Sequence, residues 1–118
     1  MKSIQTYKRE NGKDEIEEYL EALSKKAVKS KSERIRLKKI VQYFDLLAAY
    51  GSTIGEPVIK HIEGEIWELR PVNDRFFYVA IEGDTFLILH HFIKKSQKTP
   101  EKEIEKAKSN LKDWKRRQ

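Results

Sequence analysis

The chain contains no cysteine, which removes a disulfide framework, a thiolate metal site and a thiolate nucleophile from consideration. No stretch approaches the roughly 18 consecutive apolar residues of a membrane-spanning helix, and the opening MKSIQTYKRENGKDE has no apolar signal region. These absences predict a cytoplasmic protein without a membrane partner. Histidine is scarce as well. His61, His90 and His91 have no metal-ligand spacing, and the last two, adjacent in a strand-like segment, point to opposite faces and cannot chelate one ion together. No metal and no cofactor is expected. With neither an internal repeat nor a linker, the 118 residues and their 38% apolar content read as one domain, residues 1–118, with a single core.

Positive charge, by contrast, is in excess and unevenly placed. Residues 1–90 hold 15 Lys and Arg against 15 Asp and Glu, whereas residues 91–118 hold 10 against 4, so the whole net charge of +6 lies in the C-terminal 28 residues. A field concentrated at one end steers polyanions. A second basic run, Lys25, Lys26, Lys29, Lys31, Arg34, Arg36, Lys38 and Lys39, is interrupted by Glu33 alone. Either cluster by itself fits a solvated surface. Together they favour nucleic acid, particularly RNA or a ribonucleoprotein surface.

The periodicities predict an α+β fold. A short strand over residues 2–8 is closed by Asn11 and Gly12, after which Ile16, Tyr19, Leu20 and Leu23 recur with helical spacing. Ser30 and Glu33 have capping-box spacing ahead of a longer set, Leu37, Ile40, Val41, Phe44, Leu47 and Ala48, which Gly51 can terminate in a left-handed conformation. So short a connection predicts a helical hairpin. The period then falls to two, giving strands at 59–62, 65–70, 75–82 and 85–93. Thr99 before Pro100 signals the cap and first turn of a last helix, with Ile104, Ala107, Leu111 and Trp114 as its apolar stripe. A two-residue turn at Gly83 and Asp84 sets Ile81 opposite Phe86 and Phe77 opposite His90. One sheet face then carries Arg70, Arg75, His90 and Lys94 beside Phe77, Val79, Ile88 and Phe92; the other carries Trp67, Leu69, Phe76, Tyr78, Leu87, Leu89 and His91. Both faces are largely apolar, so the hairpin should cover one and the terminal helix or a partner protein part of the other.

These elements in this order, with the residues IWELRP, DRFFYV, HHFIKKSQKTP and EIEKA, resemble the phage-derived, HigB-like branch of the RelE/ParE toxin superfamily. The resemblance spans nearly the whole chain and is strongest from Gly64 to Ala107. It implies a RelE-like fold of N-terminal strand, helical hairpin, four-stranded antiparallel meander and C-terminal helix. The implied function is that of a type II toxin, a metal-independent endoribonuclease cleaving messenger RNA in the ribosomal A site by attack of the 2'-hydroxyl on the adjacent phosphate. Its implied partners are the ribosome and a helix-turn-helix antitoxin, through which alone it would reach operator DNA.

Residue by residue, the resemblance assigns Arg70 to the phosphate, Lys94 and Lys95 to the basic pair leaving the last strand, and Lys60 and His61 to the basic positions of the strand before WELR. Arg75 matches a recurrent arginine of the superfamily. Lys98 is a candidate phosphate contact, and Lys38 and Lys39 belong to the basic hairpin suited to gripping ribosomal RNA. Some relatives carry a catalytic tyrosine shortly after the last strand, whereas residues 96–101 here contain no aromatic side chain. The general base therefore stays open among His61, His91, His90 and a lysine of lowered pKa. Two alternatives also stay open: a ParE-like inhibitor of DNA gyrase, and a non-catalytic nucleic-acid-binding protein of phage origin.

Overall fold

Strand β1 (Ser3–Thr6) leads, in the computed structural model of residues 1–118, into helices α1 (Glu15–Ala27) and α2 (Lys31–Tyr50). Each helix has its own start signal. The Asp14 carboxylate accepts the Glu17 N–H before the acidic first turn of α1, and the Ser30 hydroxyl accepts the Glu33 N–H at the head of α2. Only residues 28–30 separate the helices, and they pack against each other as the expected hairpin. Gly51 ends α2 at φ 61°, with Lys2 Cε only 3.2 Å from where a Cβ would stand, so both backbone angle and space favour glycine.

After one 3-10 turn the chain runs through β2 (Ile59–Glu63), β3 (Ile66–Leu69), β4 (Asp74–Ile81) and β5 (Thr85–Ile93) to α3 (Glu101–Arg116). The sheet order is β1-β5-β4-β3-β2, an antiparallel meander of β2 to β5 with β1 added parallel to β5. The α+β fold class and element order are those predicted.

Two cores explain why the central strands are apolar on both faces. Beneath the hairpin, Ile16, Leu23, Ile40 and Leu47 pack on Ile59, Leu69, Phe76, Tyr78, Phe86 and Ile88. Beneath α3, Ile104 and Ala107 pack on Ile66, Phe77, Val79, Leu87, Leu89 and Phe92. The terminal helix of the same chain thus covers the second face.

Four expectations are corrected. The β4–β5 turn has three residues, so Ile81 faces Thr85 rather than Phe86, while Phe77 does face His90; the offset is absorbed at Leu89, which has no partner on β4. That bulge moves Ile88 beneath the hairpin and Leu87 and Leu89 beneath α3, the reverse of the expected assignment. Pro100, not Thr99, is the N-cap of α3, and it supplies no side-chain bond. Val41 is half exposed, because α2 buries a narrower stripe centred on Ile40 and Leu47. No helix is long and apolar enough to cross a membrane.

Candidate functional site

The predicted cations converge where β3 turns into β4. Alternate residues of a strand share a face, so Glu68 and Arg70 project together, and the register sets Lys60 and Phe77 on either side of Glu68. Arg70 and Arg75 flank the Leu69–Phe76 pair and so come side by side. The intervening turn holds Val72 at φ 56°, a left-handed conformation that a β-branched residue rarely adopts. Arg75 braces it, donating from Nη1 to the carbonyls of Val72 (2.6 Å) and Asp74 (3.0 Å). The Lys94 N–H donates to the Asn73 carbonyl at 2.8 Å, which brings the exit of β5 to the same turn.

At the centre of this cluster lies Glu68, with no exposed surface. Its Oε1 is 3.4 Å from Arg70 Nε and 3.9 Å from Arg75 Nε, yet neither carboxylate oxygen and neither Nε has a hydrogen-bond partner. Burial pushes the Glu68 carboxyl above its usual pKa, and the charges of Arg75, Arg70, Lys94 and Lys60 pull it back without cancelling the shift. Burial likewise pushes Arg75 down despite Glu68. Both members of the pair therefore agree that desolvation exceeds their attraction. Burial also lowers Lys94, reinforced by Arg75 and Arg70. The Nη end of Arg70 makes no hydrogen bond within the chain and stays at the surface. It is an open two-pronged donor of the kind that matches a phosphate.

A second buried carboxylate, Asp74, lies on the hairpin side. It accepts the Tyr19 hydroxyl at 2.6 Å, His91 Nε2 at 2.8 Å and Arg36 Nε at 2.9 Å. Burial would raise its pKa, but the hydrogen bonds from His91 and Tyr19 and the Arg36 charge prevail and hold it below the ordinary value. An ionised carboxylate only accepts, so His91 must carry its proton on Nε2. The Tyr19 ring stacks on His91 with centroids 3.9 Å apart.

The structure thus brings together Lys60, Arg70, Arg75 and Lys94 and puts His61 and His91 on the other face of the sheet. His91 is committed to Asp74 on the opposite face. His61 also lies on the hairpin face, its Nε2 2.8 Å from the Gly64 carbonyl and its ring against Trp67. His90 is on the α3 side, where Nε2 is 3.2 Å from Glu103, and burial lowers its pKa despite that carboxylate. Lys95 lies with Asn73, Lys94, Ser96 and Gln97 around an open depression, and Lys98 is exposed just beyond it. On the other side of Asn73, Lys39 lines a cleft with Arg36 and Val72, so this turn links the basic helix to the basic strand exit. Lys38 is exposed beside it on α2.

Sequence reasoning did not single out Glu68, Asp74, Tyr19, Arg36 or Glu103 as site residues. For Glu68 a signal was present: its two-residue spacing from Arg70 puts both on one strand face. No group of three or more His, Asp or Glu side chains is arranged to hold a metal ion. What the arrangement can do is bind and orient a phosphate. A family model described as "Phage derived protein Gp49-like (DUF891)" matches residues 18–112. Comparison with curated proteins gives no match.

Proposed function

The chain belongs to the Gp49-like family of phage-derived proteins, which is related to the RelE and HigB toxins, and from that premise we propose that it is a toxin acting as a ribosome-dependent endoribonuclease on messenger RNA. The observation that carries the reading is Arg70, whose inner edge is buried beside Glu68 and whose outer edge makes no bond within the chain. Cleavage by the neighbouring 2'-hydroxyl needs the backbone held in line, the phosphorane charge met by a fixed cation, and protons moved. Arg70 meets the charge. Lys60, Lys94 and Lys95 hold the backbone, and Lys38, Lys39 and Lys98 extend the contact to ribosomal or messenger RNA. Proton transfer falls to Lys94 rather than to His61 or His91, because Lys94 lies in the cation cluster with a lowered pKa while those histidines lie on the opposite face. Arg75 supports the site by bracing the turn that carries Asn73. The reaction as drawn involves no metal or cofactor.

A small helix-turn-helix antitoxin is the proposed partner, covering these cations and carrying the pair to its operator. The test is to map message 5' ends after brief induction without antitoxin. Cuts within translated codons and arrested growth are expected. Intact messages would overturn the reading, and if a DNA-damage response accompanied them, gyrase would become the target.

A further inference from the structure

The carboxylate at the centre of the cation cluster is out of place in a surface built only to attract RNA. One negative charge beneath Lys60, Arg70, Arg75 and Lys94 weakens the field that draws a polyanion. As a stabilising ion pair it is poor too, since it is fully desolvated while its oxygens and both facing Nε groups lack hydrogen bonds. What it does supply is direction. Arg70 and Arg75 lie side by side on one face, where like charges repel, and Arg70 has a flexible stem at the end of a strand. Glu68 Oε1 faces the Nε of both. Arg75 has two backbone carbonyls to fix it as well, whereas Arg70 has only Glu68.

We propose that Glu68 is a positioning residue: its buried carboxylate holds the Nε edge of Arg70 inward so that the Nη edge faces the scissile phosphate. The inference rests on the endoribonuclease reading for its kinetic consequence, but not for its geometry.

The test uses Glu68→Gln in the full chain, which keeps the shape and removes the charge. On saturated ribosomes, single-turnover cleavage should slow by roughly ten- to a hundredfold, the cost of a small misplacement. Ribosome affinity should stay the same or rise, since the site becomes more positive. Added to Arg70→Gln, the change should produce no further loss, because both act through one guanidinium. In nuclear magnetic resonance spectra of the free protein, the Arg70 Nε–H should lose its protection from solvent exchange in Glu68→Gln, while that of Arg75 persists.

Cleavage at the normal rate, additive losses in the double variant, or an unchanged Arg70 Nε–H would overturn the proposal. If the unaltered protein cuts no message, the endoribonuclease reading fails, and the Nε–H measurement alone decides whether Glu68 holds Arg70. Should Glu68→Gln fail to fold, Glu68→Asp, which keeps the charge but retracts it by one methylene, is expected to show the slower cleavage. Failure of both to fold would make Glu68 a stability residue and sink the positioning role.

Discussion

Asp74 and Glu68 are both buried acids at one end of one sheet, and their surroundings differ in a way that separates stability from function. Asp74, beneath the helical hairpin, receives one hydrogen bond each from α1, α2 and β5, and its pKa is held down. Glu68, on the α3 side, faces cations at 3.4 Å and 3.9 Å without a hydrogen bond, and its pKa is pushed up. A carboxylate whose bonds are all made locks elements together. One left unsatisfied among cations is tolerated where those cations must stay available to something else.

Removing Asp74 should break the first half of that contrast with the largest effect. Asp74→Ala strands the Tyr19 hydroxyl, the Arg36 guanidinium and the His91 ring, and should cost about 3–5 kcal/mol of stability, read from the urea unfolding midpoint. Full stability in this variant would show that the hub does not hold the hairpin to the sheet. Next in size is Arg70→Ala, which should lower single-turnover cleavage by roughly a hundred- to a thousandfold while leaving the unfolding midpoint near normal. Arg70→Lys should restore little, since an ammonium lacks the two-pronged geometry. If Arg70→Ala unfolded the protein but cleaved normally when folded, the roles of the two regions would be reversed.

Smaller effects sharpen the comparison within the cationic region. Lys95→Ala should weaken ribosome binding modestly and reduce the salt dependence by about one counterion. Lys94→Ala should do the same and also change the alkaline limb of the rate–pH profile, because burial and the charges of Arg75 and Arg70 lower the Lys94 pKa. Identical profiles for the two variants would remove Lys94 from proton transfer. Smallest is a pH effect at the hub. The folded-state pKa of Asp74 lies below the ordinary value of an aspartate, so the stability it contributes is complete above that ordinary value and is lost as pH falls through the folded one. The gap between the unaltered protein and Asp74→Asn should therefore narrow in acid. A gap that widened there would contradict the sign.

Much of the fold was legible because its signals are local. The caps at Ser30 and Thr99–Pro100, the change of period after Gly51 and the extent of β5 depend on neighbours in the chain, and even the Thr99 error amounts to one residue. The bulge was not legible. It depends on a turn that holds three residues instead of two and on cores waiting above and below, and a single unpaired Leu89 reverses the faces of Leu87 and Ile88. At the site, the convergence of Arg70, Arg75 and Lys94 followed from strand alternation. The Asp74 hub did not, since Tyr19 and Arg36 reach it across 55 and 38 residues of sequence, and only the docking of the hairpin makes them neighbours.

The parallel pairing of β1 with β5 has a consequence for how the molecule comes into being. β1 is the first strand to be synthesised and β5, its only neighbour in the sheet, the last. Ser3 meets Thr85 across 82 residues of chain, an interval of roughly 4–16 s at about 5–20 residues per second. Throughout that time the edge strand has nothing to pair with. The strand exit bearing Lys94 emerges later still, so the cluster of cations around Glu68 cannot assemble until all five strands of the sheet have been made.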